Sequence, residues 1–128
     1  MTDIFDILTY DYVKAVDVLD LPETYTEVAN LVTPTRVAGT YLYMLSLSYN
    51  FDSVTTSAFM RFSIDGGTVW TEFSREPSDK LDTVALMYAF PKEVATDSPL
   101  NLHLEMRKGT TAGVLNMEFL DLAIERKG

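Results

Sequence analysis

The segment Ser57-Ala-Phe-Met-Arg-Phe-Ser-Ile-Asp-Gly-Gly-Thr-Val-Trp-Thr-Glu-Phe73 constrains this chain more than any other. Two β-rich runs, Ala58 to Ile64 and Val69 to Arg75, flank Asp65, Gly66 and Gly67. The glycines supply the positive φ angles that a tight chain reversal needs. The segment therefore predicts a hairpin, and with it an antiparallel, all-β domain. Two registers are open. A three-residue loop sets Phe62 opposite Trp70 and Met60 opposite Glu72. A two-residue Gly-Gly loop sets Arg61 opposite Glu72 and Ser63 opposite Trp70.

The rest of the chain reads the same way. Tyr12 to Val18 and Thr24 to Val32 are strand candidates, the second ended by Pro34. In residues 39–51, Tyr41, Tyr43, Leu45, Leu47, Tyr49 and Phe51 share one face. The other face starts apolar at Leu42 and Met44, as in a doubly covered strand, and turns polar at Ser46, Ser48 and Asn50. Val84 to Phe90 is a strand stopped by Pro91. Leu100, Leu102, Leu104 and Met106 alternate with polar residues, the pattern of a half-buried strand. From Val114 to Glu125 the apolar phase slips at Phe119 and Leu120. Either a β-bulge there brings Leu115, Met117, Phe119, Leu122 and Ile124 to one side, or the stretch is buried on both faces.

About eight strands at this spacing predict an antiparallel β-sandwich of jelly-roll type. The 128 residues fit one domain. Residues 12–128 form the sandwich, preceded by residues 1–11 as an N-terminal arm or short helical turn. Within that arm, Ile4, Phe5, Ile7 and Leu8 are the candidate docking contacts.

Composition narrows the function. A net charge of −9, with ten scattered Lys and Arg, repels phosphate backbones, so nucleic acid is not an expected partner. There is no cysteine for a disulfide or thiolate metal site. No stretch has the length or apolarity of a membrane span, and the first residues lack the basic start of a signal peptide. An unprocessed product of the cytoplasm is the expectation.

No catalytic constellation is visible, and the expectation is a protein that is not an enzyme and holds no cofactor or metal. The single histidine, His103, falls on the outer face of its strand beside Asn101, Glu105 and Arg107, facing solvent. Asp3, Asp6 and Asp11 do not have calcium-loop spacing, and neither do Asp79 and Asp82. Tyr25, Tyr41, Tyr43, Tyr49, Phe59, Trp70 and Tyr88 are the ordinary stuff of a sandwich core. Exposed together, they would instead form a platform on which sugar rings stack.

The octet Ser63-Ile-Asp-Gly-Gly-Thr-Val-Trp70 resembles an Asp-box, the hairpin known from sialidases and many unrelated β proteins. Ser63, Asp65, Gly67 and Trp70 match it, with Gly66 inside the turn, and Val69 stands where the box usually has Thr. The resemblance implies a folding device in which Ser and Asp bond turn amides over a packed Trp. Residues 38–49, Ala-Gly-Thr-Tyr-Leu-Tyr-Met-Leu-Ser-Leu-Ser-Tyr, resemble a strand of small jelly-roll domains, including the tumour-necrosis-factor and complement-C1q type. Residues 61–70 are similar to hairpins in small virion proteins of tailed bacteriophages. Together these resemblances imply a homo-oligomer, a trimer first, carried on the virion as a head decoration, cement or fibre-associated protein. Its partners would be capsid or tail proteins, with a glycan as the alternative ligand.

Overall fold

The computed structural model describes residues 10–18, 20–51, 57–75, 83–109 and 114–127. Eight antiparallel strands form it: β1 (Tyr10–Val18), β2 (Thr26–Arg36), β3 (Gly39–Phe51), β4 (Ala58–Ser63), β5 (Thr71–Arg75), β6 (Thr83–Val94), β7 (Ser98–Lys108) and β8 (Leu115–Arg126). They make two four-stranded sheets. Sheet A has the order β1-β8-β3-β6 and sheet B the order β2-β7-β4-β5. This is the double-sheet arrangement of a jelly roll. The apolar positions of the alternating strands meet between the sheets. Tyr41 to Tyr49 on β3, Leu100 to Met106 on β7 and Leu115 to Ile124 on β8 supply most of the buried core.

Several strand ends differ from the sequence reading, each for a physical reason. β2 continues through Pro34 and β6 through Pro91. Both are edge strands, where a residue without an N–H can face away from the ladder. β2 also carries a register shift between Val32 and Thr35, around the proline. Leu42 and Met44 are half-buried on the outer face of sheet A, which has no second layer over it among the described residues.

The phase slip in β8 is a bulge. Ser48 pairs with Phe119 and Tyr49 with Met117, so Glu118 is skipped along β3. The extra residue returns Leu120, Leu122 and Ile124 to the core beside Leu115 and Met117. Phe119 is turned outward and is 40% exposed, so it does not join them.

The hairpin takes the register that pairs Arg61 with Glu72, and its ladder stops at Phe62 and Thr71. Residues 64–70 form a wide loop, longer than either turn considered, because the side chains of Ser63 and Asp65 satisfy its amides in place of strand partners.

The two long flanks of the sandwich are unlike. Along β1 and β2, Asp11 accepts a hydrogen bond from Arg36 Nε at 3.1 Å, linking the sheets. That bond holds the guanidinium above its usual pKa. At the opposite end of β8, Leu21 N–H, in the loop after β1, donates to Leu115 O at 2.8 Å. Along β5 and β6, the sheets meet through aromatic rings. Phe62 lies 5.4 Å from both Tyr88 and Phe90, and Phe73 lies 6.5 Å from Tyr88.

Candidate functional site

The Asp65 loop is built from its own side chains. Ser63 Oγ donates to Asp65 Oδ1 at 2.6 Å and accepts from Gly67 N–H at 2.9 Å. Asp65 Oδ1 also accepts from Thr68 and Val69 N–H, each at 3.0 Å. Gly66 and Gly67 have φ of 80° and 97°, the left-handed region that side chains avoid. A Cβ at Gly67 would stand 3.3 Å from Trp70 Cζ2, so the indole lies tight against the turn.

The Ser63 hydroxyl, followed by the Val69 and Thr68 amides, holds the Asp65 carboxyl below its usual pKa. A group depressed in the folded state stabilises it above the ordinary aspartate range, and that contribution is lost as pH falls through the folded value. Acid is therefore expected to loosen this loop. In Asp65→Asn the acid-dependent part should vanish, read as amide exchange of residues 64–70 against pH. Equal acid dependence in the variant would refute the assignment.

Beside the loop, the outer face of sheet B carries a stack of rings and cations. Arg61 lies 4.0 Å from the Trp70 ring centroid and 4.2 Å from that of Tyr25. Arg107 lies 5.1 Å from the Tyr25 centroid and 3.9 Å from that of Phe59. The order along the face is Phe59, Arg107, Tyr25, Arg61, Trp70. His103 follows, its ring edge-on to Trp70 at 5.3 Å. The alternation works because guanidinium planes sit well over ring faces.

Glu105 anchors the stack. It accepts from Arg61 Nε at 2.8 Å and lies 2.6 Å from Nη2. Burial first, then the nearby Glu72, pushes the Tyr25 phenol above its usual pKa.

His103 is on the outer face, as its alternation implies, yet it does not face solvent freely: its side chain is 16% exposed. Nε2 lies 3.2 Å from a Glu27 oxygen and 3.7 Å from a Glu105 oxygen, neither contact having hydrogen-bond geometry. Ser63 stands opposite His103 in the β4–β7 register. Its hydroxyl hydrogen goes to Asp65 and the residue is 2% exposed, so it is not presented as a nucleophile.

A second surface lies on the open flank. One groove of about 430 Å³ is lined by Met60, Thr71, Phe73, Ser74, Leu86 and Tyr88. Another of about 390 Å³ is lined by Phe62, Ile64, Val69, Tyr88, Phe90 and Lys92. Tyr88 borders both and is 44% exposed. On the other face of the same strand, Met87 is 78% exposed. Across the outer face of sheet A runs one apolar row, Tyr12, Ala123, Met44, Ala89, beside a polar row, Lys14, Asp121, Ser46, that ends at Met87.

The structure thus separates residues that the sequence placed in one class. Tyr41, Tyr43 and Tyr49 are core, whereas Tyr25, Phe59 and Trp70 stand on an outer face and Tyr88 at a rim. The stack went unseen because Tyr25 and Trp70 lie outside strands. The available signal was the two-residue register, which sets Arg61 beside Glu72 on the face of Glu105. Ile4, Phe5, Ile7 and Leu8 lie outside the described residues.

No family model and no curated protein matches the chain. Among solved structures it is similar to the Eiger TNF from S. frugiperda, with a TM-score of 0.51, 10% identity, and coverage of 94% of this chain and 92% of that one. It is similar also to a chain of infectious bursal disease virus, Gx strain, with a TM-score of 0.55, 11% identity, and coverage of 94% and 32%. Dimeric latent PorU from Porphyromonas gingivalis matches at a TM-score of 0.48 and 18% identity over 91% of this chain, which spans 13% of that protein. At these identities the likeness is one of fold.

Proposed function

We propose that this chain is a structural protein of a tailed-bacteriophage virion, not an enzyme: a head decoration or cement protein that associates with copies of itself and docks on the capsid. The observation that carries the reading is the apolar surface that the described residues leave open around β6, at Tyr88 on its inner side and Met87 on its outer side. Exposed apolar surface of this continuity marks an interaction site. The polar groups of the sheet B face are meanwhile engaged with one another, which suits a module that works through surfaces. The likeness in fold to a chain from a virus structure is in keeping with this.

Two measurements test the proposal: light scattering of the purified protein across concentration, and co-sedimentation of the labelled protein with heads and with tails of the phage that encodes it. Association in the first and recovery with heads in the second are expected. A monomer that sediments with neither would overturn the reading.

A second reading, a carbohydrate- or receptor-binding module of a tail or fibre, is favoured by the outward placement of Tyr25, Phe59 and Trp70. A sugar reaching Tyr25 or Trp70 has to displace a guanidinium, which places this reading second. A glycan array whose hits disappear in Trp70→Ala would promote it.

A further inference from the structure

We infer that β6 is a seam on which two copies of this chain pair antiparallel about a twofold axis at Met87, joining their A sheets into one of eight strands. The inference rests on the self-association proposed above and says where it occurs. β6 is an edge strand of twelve residues, hydrogen-bonded among the described strands to β3 alone. Monomeric proteins blunt such edges with charge, bulges or a short strand. Here Val84-Ala-Leu-Met-Tyr-Ala-Phe90 carries no charge, and its ladder to β3 runs unbroken from Thr83 to Val94. Proline and lysine come only after this run, at Pro91 and Lys92.

Self-complementarity identifies the occupant as a second copy. A twofold axis perpendicular to the sheet keeps each residue on its own face, so only residues of the same face can stand opposite each other. With the axis at Met87, Ala85 meets Ala89 of the second copy on the outer face. Leu86 meets Tyr88 on the inner face, where those two side chains border the larger open groove. Met87 is the midpoint of the uncharged run 84–90, so this axis pairs the whole of that run with itself. Moving the axis to Tyr88 sets Lys92 opposite Val84. An axis nearer Lys92 thus brings a charge against the apolar run, which favours the register centred on Met87. Both B sheets then lie on the same side of the joined sheet, so the two open flanks face each other across the seam.

The chain has no cysteine, so introduced thiols report the seam without background. Met87→Cys should cross-link to itself on mild oxidation, at least ~10-fold above Val32→Cys on the far edge strand, because pairing raises the local thiol concentration. Ala85→Cys and Ala89→Cys should each cross-link poorly alone and well when mixed. Met87→Lys, a change at an exposed position, should bring the light-scattering mass down to the 14.4 kDa monomer with an unchanged circular-dichroism spectrum. An oligomer in which Met87→Cys cross-links no better than Val32→Cys would overturn the seam and leave the proposed function standing. A monomer at every concentration would overturn both.

Discussion

Leu104→Ala should lower stability by about 2–5 kcal/mol, the range for a leucine truncated in a rigid core. The residue is fully buried in β7, with Ala29 of β2 on one side and Phe62 of β4 on the other. Neither neighbour fills the vacated space readily. Ala29 has no further atoms to extend, and the Phe62 ring is held against Phe73, Tyr88 and Phe90. A domain of this size has about 5–15 kcal/mol in total, so the loss is a large share of it. Thermal melting should fall by roughly 10 °C or more. Val32→Ala, at a position 59% exposed on β2, should change stability by less than about 0.5 kcal/mol. Equal melting shifts for the two variants would mean that the core does not lie between the sheets where the alternation puts it.

The second large effect is at Arg61. Arg61→Ala removes contacts to two rings, worth about 0.5–2 kcal/mol each where partly desolvated. It also leaves Glu105, 15% exposed, without its fork of donors and beside Glu27 and His103. Together these should cost about 2–4 kcal/mol. Arg61→Lys should recover less than half, because a point charge cannot lie flat on Tyr25 and Trp70 while also bonding Glu105. Trp70 is the only tryptophan, so its emission reports the stack directly. A red shift in Arg61→Ala is expected, with stability measured alongside by urea titration. Unchanged emission and a loss below about 0.5 kcal/mol would show the stack to be incidental.

Fold class was legible because alternation, hairpin turn and strand spacing are local signals that agree with one another. β3 and β7 announce their buried faces residue by residue, and the Asp65 loop contains its own bonding partners. Pro34 and Pro91 misled for a reason that is itself informative. A proline ends an interior strand but not an edge strand, and edge position is a property of topology. The Arg61–Trp70–Tyr25 stack was hidden for the same kind of reason. It gathers β4, β7, a loop and the approach to β2, and nothing in one strand's period says which strand lies beside it. The open flank was equally silent: Val84 to Phe90 is apolar at every position, so the strand's own pattern does not say which side a second sheet covers.

The difference between the two flanks bears on how the molecule answers force. On the Asp11–Arg36 side the layers are tied by an ion-paired, directional hydrogen bond, which breaks when stretched. On the Tyr88 side the described contacts between layers are ring on ring, and dispersion permits sliding. Load applied across the layers should therefore open the Tyr88 side before the Asp11–Arg36 side.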